Sequence, residues 1–173
     1  MPAKCVEALA AALLAAVAVG CGGTNGRAAA PPAAAPGAAS ATTASAKPRA
    51  TFVAPNGESG SLEIAATDAE REKGLMGRAG VPRGEGMVFV FDAPGEHSFW
   101  MLHCLTPLDL VWLDQAGTVV HLVEAAPICE AEPCPYYSAG APAAMVVEFG
   151  PGEARRMGIV PGATLRVALP AAK

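Results

Sequence analysis

The hydrophobic pattern divides the chain into three stretches. Residues 8–20 are a run of small apolar side chains, mostly Ala, Val and Leu, ending directly at Cys21. Residues 27–47 form an Ala/Pro/Ser/Thr tract with almost nothing to bury. From Thr51 onward the pattern changes to short apolar runs separated by Gly, Pro, Asn and Asp, the punctuation of strands and turns.

Within this last stretch the elements can be placed. Residues 51–53 and 61–66 read as strands around Pro55-Asn56-Gly57-Glu58-Ser59-Gly60, whose Asn-Gly pair favours positive φ. Thr67-Asp68-Ala69-Glu70 reads as a capping box, with the Thr67 hydroxyl accepting from the Glu70 amide, and predicts a short helix ending near Gly74 or Gly77. Residues 86–91 are apolar on both faces, Met87, Phe89 and Phe91 on one and Val88 and Val90 on the other. Such a strand is sandwiched or lies inside a closed sheet. Asp92-Ala93-Pro94-Gly95 is expected to turn the chain into a strand over 98–102. Strands over 108–113 and 118–124, joined at Asp114-Gln115-Ala116-Gly117, extend a meander of hairpins. A long loop carries Tyr136 and Tyr137. Residues 145–149 and 164–169 supply the last strands, with one or two helical turns over 152–157. The prediction is a mostly β (α+β) domain: a compact barrel-like sheet, antiparallel or mixed, with one or two short helices.

The front of the chain carries an address. An apolar run of about 13 residues is too short to span a bilayer as a helix but suits a signal-peptide core. Val17-Ala18-Val19-Gly20-Cys21 resembles a lipobox, so the expectation is a signal peptide over 1–20, a lipidated Cys21 opening a disordered tether over 21–50, and a globular domain over 51–170. A plain secreted form is the alternative. The chain is then exported and anchored through lipid to the cell envelope, at the outer membrane or a periplasmic face, and its first partner is the membrane.

Composition changes little in this picture. The 52% hydrophobic content and mean hydropathy of +0.34 are raised by the alanine-rich front. A net charge of −4, without a basic stripe to neutralise phosphates, argues against nucleic acid as a partner. In an oxidising compartment thiols tend to pair. Cys129 and Cys134 bracket Glu-Ala-Glu-Pro, a tight loop that a disulfide can close; Cys104 is then left over as an apolar filler, or it pairs with one of the other two.

Several residues carry candidate chemistry. Asp109 is a lone acid in an apolar strand, and a buried carboxylate needs partners: backbone amides, or the guanidinium of Arg78. Arg78 can alternatively hold an anionic ligand. Trp100 and Trp112 read first as core, but with Tyr136 and Tyr137 they offer aromatic surface for a sugar ring or peptide if these side chains line a cleft. His97, Met101 and His103 share one face of an ideal strand, and thioether with imidazole favours copper(I). Cys104 with His103 or His121 is a nucleophile–base pair only if the fold brings them together.

Glu70-Arg71-Glu72-Lys73-Gly74-Leu75-Met76-Gly77-Arg78, then Gly86-Met87-Val88-Phe89-Val90-Phe91, then Phe99-Trp100-Met101 with Pro107-Leu108-Asp109, closely resemble the domain-of-unknown-function 192 family. Pro127, Tyr137, Val147-Glu148 and Gly158-Ile159-Val160-Pro161-Gly162 extend the likeness over roughly residues 51–169. The chain departs from the family pattern at Leu102, His103 and Cys104 and at Gly162-Ala163. The resemblance implies a small β-rich domain, often exported, with no established activity. The resulting expectation is a membrane-tethered binding or assembly module with no cofactor and an envelope protein or small ligand as partner. Arg78, Trp100, Asp109 and Tyr137 are its ligand candidates. A copper-handling protein is the alternative, and a hydrolase or thiol enzyme the weaker one.

Overall fold

The computed structural model describes residues 47–171. The expected signal peptide, Cys21 and the tether up to residue 46 lie outside them. Among the described residues no helix is long and apolar enough to cross a membrane.

Among the described residues nine strands and two short helices follow one another as β1 (Ala50–Val53), β2 (Ser59–Ala65), α1 (Asp68–Lys73), β3 (Glu85–Gly95), β4 (Phe99–Trp100), β5 (Leu108–Leu113), β6 (Val119–Ala126), β7 (Tyr136–Tyr137), β8 (Ala143–Phe149), α2 (Glu153–Arg156) and β9 (Arg166–Ala168). Seven of the strands make one curled sheet in the order β6-β5-β8-β3-β2-β1-β9, while β4 and β7 form a separate ribbon. The two edges of the large sheet approach each other at a bridge between Thr118 and Thr164, reinforced by Val119 N donating to the Ala163 carbonyl at 2.9 Å. The result is a half-barrel of mixed strands, as the punctuation of the sequence predicted.

The expected meander is corrected. Only β1–β2 and β5–β6 are hairpins of neighbours; β2 and β3 run parallel, and β8 inserts between β5 and β3. A parallel pair needs a crossover, and α1 with its following loop supplies it. Its capping box is present: Thr67 Oγ1 accepts from the Glu70 amide at 3.3 Å, and Glu70 Oε2 accepts from the Thr67 amide at 3.1 Å. The expected turn at 92–95 is instead the end of β3, whose pairing with β8 shifts register between Val90 and Gly95. The strand expected over 98–102 is only two residues long, because the chain turns at 101–104, where Cys104 N donates to the Met101 carbonyl at 3.2 Å.

Strand alternation builds two cores, one on each face of the sheet. Val88, Val111, Leu113, Val147 and Phe149 face the interior of the curl with Phe52, Leu62 and Leu165. Met87, Phe89, Leu110, Trp112 and Val146 face outward, where Leu75, Met101, Cys104 and Ala126 cover them. Central strands apolar on both faces are thereby explained: β5 is buried along its whole length. The inner core is closed by continuous sheet and α2. The outer one is covered by separate pieces, the turn after α1, the 101–104 turn and the β4–β7 ribbon, and the seam between those pieces is where the polar chemistry lies.

Candidate functional site beneath Trp100

Trp100 sits at the surface of the outer layer. It belongs to the ribbon in which Phe99 pairs with Tyr137 and Trp100 with Tyr136. The Trp100 and Tyr136 rings stack at 5.6 Å with an interplanar angle of 15°. The disulfide between Cys129 and Cys134, with Cα atoms 5.9 Å apart, ties off the loop that precedes β7. Trp100, Tyr136, Glu132 and Cys134 line a hollow of about 380 Å3. The aromatic segment and the disulfide loop therefore converge, while Asp109 lies apart from them on the inner face.

Trp100 also borders a cleft of about 330 Å3 with Arg71, Phe89, Phe91, His97 and Phe99. Its wall is tightly organised. The Phe91 and His97 rings stack at 3.4 Å, Phe89 and Phe99 meet edge to face at 4.8 Å, and Trp112 Nε1 donates to the His97 carbonyl at 2.9 Å. The Arg71 guanidinium lies 5.4 Å from the Phe91 centroid, with donors already spent on the Ala66 and Val90 carbonyls and the Asp68 carboxylate.

Below Trp100 the cleft narrows to a recess of about 30 Å3 bounded by Gly74, Leu75, Met76, Phe99, Cys104 and Glu148. Gly74 lies at φ 45°, and a Cβ there would stand 3.2 Å from the Phe89 ring, so the turn needs glycine to pack this closely. Glu148 is 5% exposed, and burial raises its carboxyl to about 8. Its cross-strand neighbours, Met87 and Leu110, offer no charge. Burial, and secondarily the neighbouring Glu148, pushes the Cys104 thiol up to about 11. Near neutral pH the recess thus presents an acid and a thiol, both protonated. His97 is lowered from 6.5, chiefly by burial and with Arg71 adding to it, against the pull of the Ala143 and Ala93 carbonyls.

Among the described residues two buried side-chain polar atoms lack a hydrogen-bond partner, His97 Nε2 and Glu148 Oε2. Of their residues, His97 borders the cleft and Glu148 the recess. The larger hollow of about 410 Å3 beside Pro94, Asp114 and Pro142 is different: the Asp114 carboxylate there already accepts from the Ala116 and Thr118 amides at 2.8 Å.

The other sequence candidates fall elsewhere. Asp109 is fully buried on the inner face and accepts from the amides of Ala125 at 2.8 Å and Ala154 at 2.9 Å. The pairing with Arg78 is corrected: Arg78 grips the Glu63 carboxylate with bonds of 2.5 and 2.7 Å, over a separate hollow shared with Lys47 and Glu70. Tyr137 is half-buried against the outer core, so it supports the ribbon while Tyr136, 68% exposed, carries the open aromatic surface. The common face expected for His97, Met101 and His103 is not formed, because the strand ends at Trp100. Met101 is buried in the outer core and His103 is exposed at φ 56°. Among the described residues no three His, Cys, Asp or Glu side chains gather as a metal site. Cys104 is the free cysteine of the described residues, and it is buried.

Glu148 was not singled out as a site residue in the sequence. The signal was present: it is the lone acid in Met145-Val146-Val147-Glu148-Phe149, the same irregularity that marked Asp109.

Two solved structures share the fold. A proposed transcription regulator from Sinorhizobium meliloti 1021 superposes with a TM-score of 0.60 at 29% identity, covering 69% of this chain and 92% of its own. A protein of unknown function from Novosphingobium aromaticivorans DSM 12444 does so with a TM-score of 0.60 at 30% identity, covering 68% and 83%. No curated protein shows significant similarity. The model of the family described as DUF192, uncharacterized ACR, COG1430, matches residues 51–167, and the chain belongs to that family.

Proposed function

We propose that this chain is a membrane-tethered binding module of the cell envelope, held by a lipid on Cys21 and presenting the Trp100 cleft to an elongated polar ligand. The observation that carries the reading is that the two residues with unpaired buried polar atoms, His97 and Glu148, border one aromatic-walled cleft and the recess beneath it. Buried polar groups are almost always satisfied, and an exception calls for an explanation such as a bound partner. A concave, mostly aromatic wall with a few converging polar groups is also the usual make-up of a ligand site.

Two features favour binding over catalysis. His97 lies by Ala143 and Glu148 at the far end of β8, and at roughly 3.4 Å per residue that separation is on the order of 17 Å. Groups so far apart cannot serve one reacting atom, but they can hold two ends of one ligand. The Cys104 thiol, held protonated, is a poor nucleophile. The copper alternative fares no better, with Met101 inside the core and His103 out in solvent. The regulator description of the Sinorhizobium protein gains no support from helices of six and four residues, too short to read a DNA groove in the usual way.

The test is a saturation-transfer NMR screen of the full chain against neutral disaccharides, amino sugars and dipeptides, with Trp100→Ala as control. Signal from one class that is lost in Trp100→Ala supports the cleft; no signal, or signal indifferent to Trp100, removes it. Fractionation of Cys21→Ser tests the anchor: the variant is expected in the soluble fraction, and unchanged membrane retention refutes lipidation.

A further inference from the structure

The recess under Trp100 has room for about two or three non-hydrogen atoms, a few times the minimum that admits one water. Its chemistry is selective. The Glu148 carboxyl and Cys104 thiol form the floor, Leu75 and Met76 give apolar walls, and the Trp100 ring stands at the mouth. We propose that this recess takes the acetyl end, three non-hydrogen atoms, of the acetamido group of an N-acetylated amino sugar whose ring lies on Trp100, with Glu148 donating a hydrogen bond to the amide carbonyl. The inference rests on the Trp100 cleft being a binding site and names its ligand class.

Each part of the fit follows from the geometry. The unpaired Oε2 of a protonated carboxyl is a donor without an acceptor, and an amide carbonyl is among the strongest neutral acceptors. A ligand ammonium would need the acid ionised in a setting where burial keeps it neutral. Three Arg71 N–H bonds are already committed and Lys73 is exposed, so a ligand carboxylate drawn to these cations stays at the rim rather than beside the buried Glu148. The acetamido methyl meets Leu75 and Met76. A sugar ring suits an aromatic face that a flanking tyrosine holds flat, and the cleft running on toward His97 leaves length for a second ring. An extended peptide that binds by lengthening a sheet edge needs a strand of some length, and β4, the ribbon strand at this cleft, has two residues.

The arrangement makes binding pH-dependent. The groups facing Glu148 are Cys104 from the 101–104 turn and Arg71, Glu72 and Lys73 from α1 and its end, with Met87 and Leu110 on the adjoining strands. Cys104, raised to about 11, stays neutral over the range in question. With Glu148 at about 8, loss of its proton weakens binding about tenfold between pH 6.5 and pH 9.

The experiment titrates tryptophan fluorescence of the full chain with N,N′-diacetylchitobiose, with cellobiose, which carries hydroxyls in place of the acetamido groups, and with N-acetylalanine methylamide. The acetylated disaccharide is expected to bind at least tenfold more tightly than cellobiose at pH 6.5 and to weaken about tenfold by pH 9. Glu148→Gln keeps an N–H donor and is expected to bind with a flat pH profile, whereas Glu148→Leu loses about tenfold. Equal binding of the two disaccharides, abolished by Trp100→Ala, overturns the recess assignment and leaves the cleft reading standing. A wild-type profile as flat as that of Glu148→Gln also overturns it. Preference for the peptide analogue, or no binding of the acetylated disaccharide at either pH, overturns it outright.

Discussion

Replacing Glu148 by Gln keeps the shape of the side chain and removes its titration, so it isolates what a buried acid does to this fold. In the folded chain the carboxyl is held near 8 by burial, against an ordinary 4.5. A raised acid binds its proton more tightly when folded, so its contribution is fully present below pH 4.5 and is lost as pH rises to about 8. At about 1.4 kcal/mol per unit, wild type loses about 3 kcal/mol between pH 4.5 and pH 7, and about 5 kcal/mol in all by pH 9. Against a typical domain stability of about 5–15 kcal/mol that is a large fraction. The Glu148→Gln variant leaves an amide in the same recess with polar atoms unsatisfied, at a cost on the order of 1–3 kcal/mol. That cost does not vary with pH. The assay is urea unfolding of both chains at pH 5, 7 and 9, and the expected result is a stability difference that shifts in favour of the variant by about 3 kcal/mol or more from pH 5 to pH 9. A difference constant within about 0.5 kcal/mol over that range would show that Glu148 is ionised or solvated in the folded chain, and the argument from its burial would fail.

Other outcomes follow from the same geometry. Asp109→Asn places an amide group where one of two backbone N–H donors now finds an oxygen, and is expected to cost about 2–3 kcal/mol in urea unfolding; a loss below about 0.5 kcal/mol would mean that the Ala125 and Ala154 bonds do not hold α2. Cys104, at about 11 against an ordinary 9.0, is expected to react with iodoacetamide at pH 8 about a hundredfold more slowly than an exposed thiol, with access reducing it further; a rate near that of free cysteine refutes its burial. The His97 imidazole, lowered by burial, is expected to titrate by NMR with a midpoint below 6.5. The fold then loses stability as pH falls from about 6.5 toward that midpoint, opposite in sign to Glu148. A midpoint above 6.5 would show the ring to be solvated or paired.

The parts of this fold that were readable in the sequence are those set by local chemistry. Asn56-Gly57 makes its turn with Gly57 at φ 86°, Thr67 and Glu70 close their capping box, and the doubly apolar run at 86–91 lies, with the strand at 108–113, in the middle of the sheet. Strand order was not readable, because it depends on which distant segment fills the gap between β3 and β5. Nothing local to 143–149 marks it as that segment. The 98–102 prediction failed for a related reason: the turn at 101–104, with His103 in the left-handed region, is sustained by Gly77 N donating to the His103 carbonyl and His103 N to that of Cys129. Those partners are distant in sequence. Trp100 and the disulfide loop were legible as aromatic and cysteine chemistry, but their convergence depends on the ribbon, and Arg78 found its carboxylate on β2 rather than β5.

The two lone acids of the central strands show what sequence leaves open and what position decides. Asp109 and Glu148 have the same surroundings in sequence, hydrophobic neighbours on both sides, and they lie on adjacent strands one register step apart, Asp109 opposite Phe149 and Glu148 opposite Leu110. Period-two alternation sends them to opposite faces. On the inner face the sheet closes over α2, whose first turn and the backbone at Ala125 bring two amides to Asp109, so both its oxygens are hydrogen-bonded and the side chain fastens helix to sheet. On the outer face the coverings are short pieces meeting at a seam. Their backbone groups are committed to one another, as Gly74 N is to Glu70 and Cys104 N to Met101, and none reaches Glu148. An acid on the closed face is therefore a fastener. An acid on the seamed face costs the fold stability at neutral pH and keeps a hydrogen-bonding atom free at the foot of an aromatic cleft. The stability cost and the free atom have one origin, so filling the recess with a ligand acceptor should relieve both: a ligand that satisfies Glu148 is expected to stabilise wild type more than Glu148→Leu.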